Sequence, residues 1–270
     1  MHRAAYSFAL LASAAVTVSA QRPSRTDRFI DNCNNWGGGD RYRERYCETR
    51  EIDAPVSKSL SVDGRDNGGV TVHGWDRNQI HLVAMVHAEG ETEADARDIA
   101  KNVTISTSNG EVRASGPSVH RRYESWSVSY EIWVPRHTDL SLDALNGGLS
   151  VDGVDAKMDL ETTNGGLNLA DVAGDVRGTT VNGGVTAELS GDRWRGQGLD
   201  LRTSNGGVHL YIPDNYSARL ETGTVNGGMD IGFPVTVQGS FGRRLTTTLG
   251  GGGATIRAVT TNGGVSIRRR

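Results

Sequence analysis

The tripeptide Asn-Gly-Gly begins at Asn67, Asn146, Asn164, Asn182, Asn205, Asn226 and Asn262, and this recurrence constrains the fold more than any other feature. From Asn146 the spacings are 18, 18, 23 and 21 residues. A last gap of 36 holds Gly251-Gly252-Gly253, which reads as a degenerate copy, and Asn109-Gly110-Glu111 is a variant. After each turn comes a short alternating run, such as Leu149-Ser150-Val151, Leu167-Asn168-Leu169 or Val265-Ser266-Ile267. Before it, another run closes in Thr or Ser, as in Glu161-Thr162-Thr163. Asn and Gly both tolerate positive φ, so Asn-Gly suits the tight I′ turn of a hairpin. A second Gly lets the backbone bend again. A lone hairpin needs no fixed period, whereas stacked units place like residues over like and can ladder their Asn amides. The pattern therefore predicts an all-β fold, a β-solenoid resembling a single-stranded β-helix. An antiparallel meander or sandwich is the alternative.

The remaining texture agrees with a β protein. Gly accounts for 36 of 270 residues, about twice the ordinary share, without a collagen period. Leu60–Asp63, Val70–His73 and Ile80–Val86 read as strands. In Ser125–Val134, Trp126, Val128, Tyr130, Ile132 and Val134 share one face, while Glu131 and Trp133 lie on the other. One short helix is expected over Thr92–Asn102, where Thr92 and Asp95 have capping-box spacing.

Three segments follow. Residues 1–20 have a positive start, an apolar run and Val18-Ser19-Ala20 before a cleavage point, the form of a secretory signal peptide. Residues 21–50 read as a polar, irregular leader, and 51–270 as the β-repeat domain. Export implies an oxidising compartment, where Cys33 and Cys47, the two cysteines of the chain, are expected to pair. The mature chain has no apolar segment long enough to span a membrane. The expected location is periplasmic, cell-surface or secreted.

VTVHGWDR at 70–77, YEIWVPRHTDLSLDALNGGLSVDGV at 130–154 and the serial TTNGG units together resemble a family of bacterial envelope proteins, the putative adhesins of domain of unknown function 4097. The resemblance spans Ile52 to Arg268 and implies a secreted or surface β-repeat protein. It carries no catalytic residues over, and the Cys33–Cys47 leader lies outside it.

A net charge of −3 argues against nucleic acid as a partner. No H-E-x-x-H, G-x-S-x-G, C-x-x-C or P-loop motif occurs. Gly250–Gly253 runs into a strand-like segment, not the helix start that a phosphate cradle needs. Asp152, Asp155, Asp171 and Asp175 read as solvated turn residues, and the histidines, His73, His81, His87, His120, His137 and His209 among them, as isolated. No catalytic residue, metal site or cofactor is expected. The candidate ligand-binding residue is Trp133, opposite the apolar face of its strand, with Arg121, Arg122 and Arg136 nearby. The expected function is non-enzymatic and adhesin-like, the binding of an envelope, polysaccharide or surface partner. A carbohydrate-active enzyme and a purely structural envelope scaffold are the alternatives.

Overall fold

The computed structural model describes residues 31–33, 43–119, 123–234 and 242–270. Residues 1–20, together with Arg121 and Arg122, lie outside the described residues. The fold is all-β, built as two large mixed sheets with one core between them.

In chain order the strands are β1 (Glu44–Ala54), β2 (Ser59–Asp63), β3 (Val70–Trp75), β4 (Ile80–Gly90), β5 (Thr104–Ser106), β6 (Glu111–Ser115), β7 (Ser125–Pro135), β8 (Asp139–Ala144), β9 (Leu149–Asp152) and β10 (Asp155–Thr162). They continue with β11 (Leu167–Ala170), β12 (Ala173–Asn182), β13 (Val185–Glu188), β14 (Gly198–Asn205), β15 (Val208–Ile212), β16 (Ala218–Asn226), β17 (Met229–Ile231), β18 (Arg244–Leu249), β19 (Thr255–Asn262) and β20 (Val265–Arg269). Sheet 1 has the order β1-β4-β7-β3-β9-β11-β13-β15-β20-β17, and sheet 2 the order β18-β16-β19-β14-β12-β10-β8-β2-β6-β5.

Every Asn-Gly-Gly joins a strand of sheet 2 to the next strand in sheet 1, so it is a corner between sheets. Like strands then pair in parallel. Leu149, Leu167, Val185, Val208 and Val265 stand in one register row across β9, β11, β13, β15 and β20. All five are buried, because the period-2 alternation turns each to the inner face. A meander of hairpins would pair these strands antiparallel, so that alternative does not describe the repeats.

The turn geometry also differs from expectation. None of the seven Asn residues has positive φ. Asn109 and Gly110, with φ 56° and 73°, do adopt it, and they close the antiparallel β5–β6 pair. The variant is thus the hairpin, and the regular copies are corners. Their Asn side chains form a continuous amide ladder. The Nδ2 of Asn146, Asn164, Asn182, Asn205 and Asn262 donates in turn to the Oδ1 of Asn67, Asn146, Asn164, Asn182 and Asn205, at 2.7–3.3 Å. Asn226 donates to Asn262 at 2.8 Å. The first Gly is required by proximity: a Cβ on Gly165 would lie 2.0 Å from the Gly147 carbonyl oxygen, and one on Gly183 1.9 Å from that of Gly165. At five of the seven corners a buried Thr two residues before the Asn caps the same carbonyls, as with Thr162 Oγ1 to Gly147 at 2.8 Å and Thr180 Oγ1 to Gly165 at 2.7 Å.

The spatial order departs from chain order at one end. Asn205 is followed along the ladder by Asn262, and only then by Asn226. The C-terminal unit β19–β20 lies between β14–β15 and β16–β17. The long gap after Asn226 contains β18, antiparallel to β16 at the sheet edge, so Gly251-Gly252-Gly253 is a connection to β19 and not a degenerate corner.

Helix α1 (Glu93–Lys101) has Thr92 as N-cap in a complete capping box with Asp95, and buries Ala96, Ile99 and Ala100. Residues 44–50, read above as part of an irregular leader, are the first part of β1, which pairs with β4 from Glu44↔Gly90 to Ala54↔Ile80. Charges hide the strand in the sequence, but an edge strand tolerates them. Arg45 pairs with Glu89 at 3.2 Å, and Arg50 donates to the Ala100 carbonyl at 2.8 Å. Cys33 and Cys47 form a disulfide that anchors the preceding chain to β1. Among the described residues no helix is long and apolar enough to cross a membrane.

Candidate binding site on the outer face of sheet 1

Where the repeats meet β4 and β7, the outward positions of four neighbouring strands fall in one row. His81 on β4, Trp133 on β7, His73 on β3 and Asp152 on β9 are cross-strand partners in succession. In the adjacent row Glu131 on β7 pairs with Thr71 on β3, which pairs with Ser150 on β9. Alternation forces this arrangement: Tyr130, Ile132 and Val134 enter the core, so Glu131 and Trp133 face outward.

The Trp133 ring lies 5.4 Å from His73, 5.6 Å from His81 and 6.5 Å from Trp75, centroid to centroid. Trp133 is half-buried within this aromatic cluster. Arg77 stacks over Trp75 at 5.0 Å. His81 Nδ1 meets Asp53 Oδ1 at 2.9 Å. His73 is 7% exposed and stands between two carboxylates, with Nε2 3.2 Å from Glu131 Oε1 and Nδ1 3.6 Å from Asp152 Oδ2. Because the carboxylates address opposite ring nitrogens, the three groups do not converge on one point. Among the described residues no set of three or more His, Cys, Asp or Glu is arranged to hold a metal ion.

Beside the cluster runs a groove of about 460 Å³. His73, Glu131, Asp152 and Glu188 line it with ionisable groups. Thr71, Ser150, Asn168 and Thr186 line it as a row of hydroxyl and amide groups in register. Glu131 is 4% exposed, and among the described residues its Oε2 is buried without a hydrogen-bond partner.

Of the candidate residues, the structure places Trp133 at the centre of this face. Arg136 is held elsewhere: its Nε is 2.7 Å from Asp76 Oδ1 and its Nη1 donates to the Gly153 carbonyl at 3.0 Å. The hydrogen bond and charge of Asp76 raise the Arg136 pKa further. Arg121 and Arg122 lie outside the described residues. His73 and His81 are not isolated, and Asp152 is engaged by His73 rather than simply solvated. A signal for them existed. The fourth residue after the first Asn-Gly-Gly is His73, and after the second, third and fourth it is Asp152, Ala170 and Glu188, the same outward row. Glu131 had no such signal, since β7 carries no corner motif.

A family model described as Toastrack DUF4097 matches residues 100–268. No curated protein matches the chain. Solved structures with similarity include a "putative cell adhesion protein" from Clostridium sporogenes, 11% identical, covering 84% of this chain and all of its own, with a TM-score of 0.48. A "putative adhesin" from Bacteroides fragilis is 12% identical over 83% of this chain and 97% of its own, TM-score 0.40. A "putative lipid binding protein" from Parabacteroides distasonis is 9% identical over 83% and 96%, TM-score 0.32.

Proposed function

This chain belongs to the Toastrack DUF4097 family, and from that premise we propose that it is an exported, non-enzymatic, adhesin-like protein. Its stacked units act as a solenoid that presents the outer face of sheet 1 to an envelope or extracellular polymer. The observation that carries the reading is the half-buried Trp133 and Trp75 cluster opening beside a polar groove. Aromatic rings supply large contact area at low entropic cost, and the amphipathic rim takes hydrogen bonds. Repeated rows of similar groups offer many weak contacts to a repeating ligand, and linked contacts raise avidity without one strong site.

Hydrolysis of a glycan needs an acid and a base or nucleophile facing each other across the scissile bond. Here Glu131 and Asp152 both face His73. The family and the disulfide support an envelope or extracellular location. The test sets a glycan and envelope-extract binding array beside reducing-sugar and lyase assays. Saturable binding without turnover is the expected result. Turnover abolished by one Asp or Glu substitution would establish the enzyme instead, and neither activity would favour the scaffold.

A further inference from the structure

The binding reading does not say which polymer the groove accepts. Its most informative atom is Glu131 Oε2, a buried carboxylate oxygen of a groove-lining residue that has no donor among the described residues. A desolvated carboxylate oxygen without a partner is costly, and a charged donor recovers the most. Asp152 adds a second carboxylate to the lining. The side-chain donor Glu131 meets is His73, on its other oxygen. The groove lining is thus acidic, which disfavours carboxylated or sulfated polymers and favours a cationic donor. Two further observations narrow the class. The half-buried Trp133, 5.4 Å from the groove residue His73, sets an aromatic surface beside the groove against which a pyranose can pack. Ser150 and Asn168, neighbours in register along the floor, offer partners for sugar hydroxyls.

We propose that this groove binds a hexosamine bearing a free, protonated amine, with the ammonium donating to Glu131 Oε2 and the sugar ring beside Trp133. The assignment rests on the binding reading above and names its ligand class.

Isothermal titration with the full mature chain tests it. The probes are the glucosamine tetramer, its N-acetylated counterpart and a galacturonic acid tetramer. The glucosamine tetramer should bind, the N-acetylated form more weakly, and the uronate not at all. Glu131→Gln keeps the shape and removes the charge, and should weaken binding at least about tenfold, the equivalent of a hydrogen bond to a charged group. Asp152→Asn, on the exposed rim, should weaken it severalfold and serves if Glu131→Gln does not fold. Equal affinity for the free and acetylated amines, or unchanged affinity in both variants, would overturn the ammonium assignment. Absence of binding to the glucosamine tetramer, with envelope-extract binding retained, would overturn the hexosamine proposal and leave the adhesin-like reading intact. Loss of both would overturn both.

Discussion

At the residue scale the corner separates two glycines that look equivalent in sequence. Gly165 is needed because the Gly147 carbonyl of the neighbouring unit lies where its Cβ would be, at 2.0 Å. Gly148, a second glycine, has Gly166 O at 3.5 Å from its would-be Cβ, an ordinary contact. Gly165→Ala should therefore cost roughly 1–3 kcal/mol through overpacking, while Gly148→Ala stays within about 0.5 kcal/mol. Urea denaturation of both variants checks this, and equal effects would contradict a proximity requirement. Asn164 accepts from Asn182 and donates to Asn146, so Asn164→Ala breaks two bonds of the ladder. Each bond contributes about 1 kcal/mol at most, less for these exposed amides. Tyr216 carries a pH signature. Burial, chiefly, pushes its phenol up to about 12 from the usual 10, against an opposing effect of Arg195. The folded state holds this proton more tightly than the unfolded one, so the contribution is complete below pH 10 and is lost as pH rises through 12. Alkaline denaturation of Tyr216→Phe should lack that window.

At the element scale, the inserted unit β19–β20 makes the C-terminus central. β19 pairs with β14 on one side and β16 on the other, and β20 with β15 and β17. Deleting residues 255–270 should therefore unprotect β16–β18 as well, which hydrogen exchange would show as fast exchange over 218–249. Protection retained there would contradict the insertion. Helix α1 is a separable test: Thr92→Ala removes the cap that accepts from the Asp95 N–H, at about 1 kcal/mol. Much at this scale was legible. The alternating runs predicted the repeat strands, and Thr92 with Asp95 predicted the helix start. The strand order was not legible, since 18- to 23-residue spacings do not record which unit stacks on which. The expectation of positive φ failed at the regular corners for a related reason: Asn-Gly tolerates positive φ, but Asn164 and Gly165 are selected by the stacked neighbours they touch. The candidate site was half legible. Trp133 followed from alternation within β7, whereas His73, Glu131 and Asp152 are brought together by register between strands far apart in sequence.

At the scale of the whole molecule, one face differs from the rest. The outer face of sheet 2 carries short-range ion pairs such as Arg202 with Asp200, while the outer face of sheet 1 carries the tryptophan–histidine cluster and the groove. The disulfide belongs to this scale too. Closing a loop of about 15 residues contributes roughly 3 kcal/mol in the chain-entropy model. Reduction should lower thermal stability and loosen the chain before β1, leaving the far-UV β signal of the repeats largely unchanged. The central claim is that sheet 1 is the binding face. Its most direct measurement is saturation binding of the wild-type chain, Trp133→Ala and a sheet 2 control, Arg257→Ala, to the same envelope extract. The account predicts that Trp133→Ala loses binding at least about tenfold while Arg257→Ala matches the wild type. Binding unaffected by Trp133→Ala, or lost only in Arg257→Ala, would contradict it.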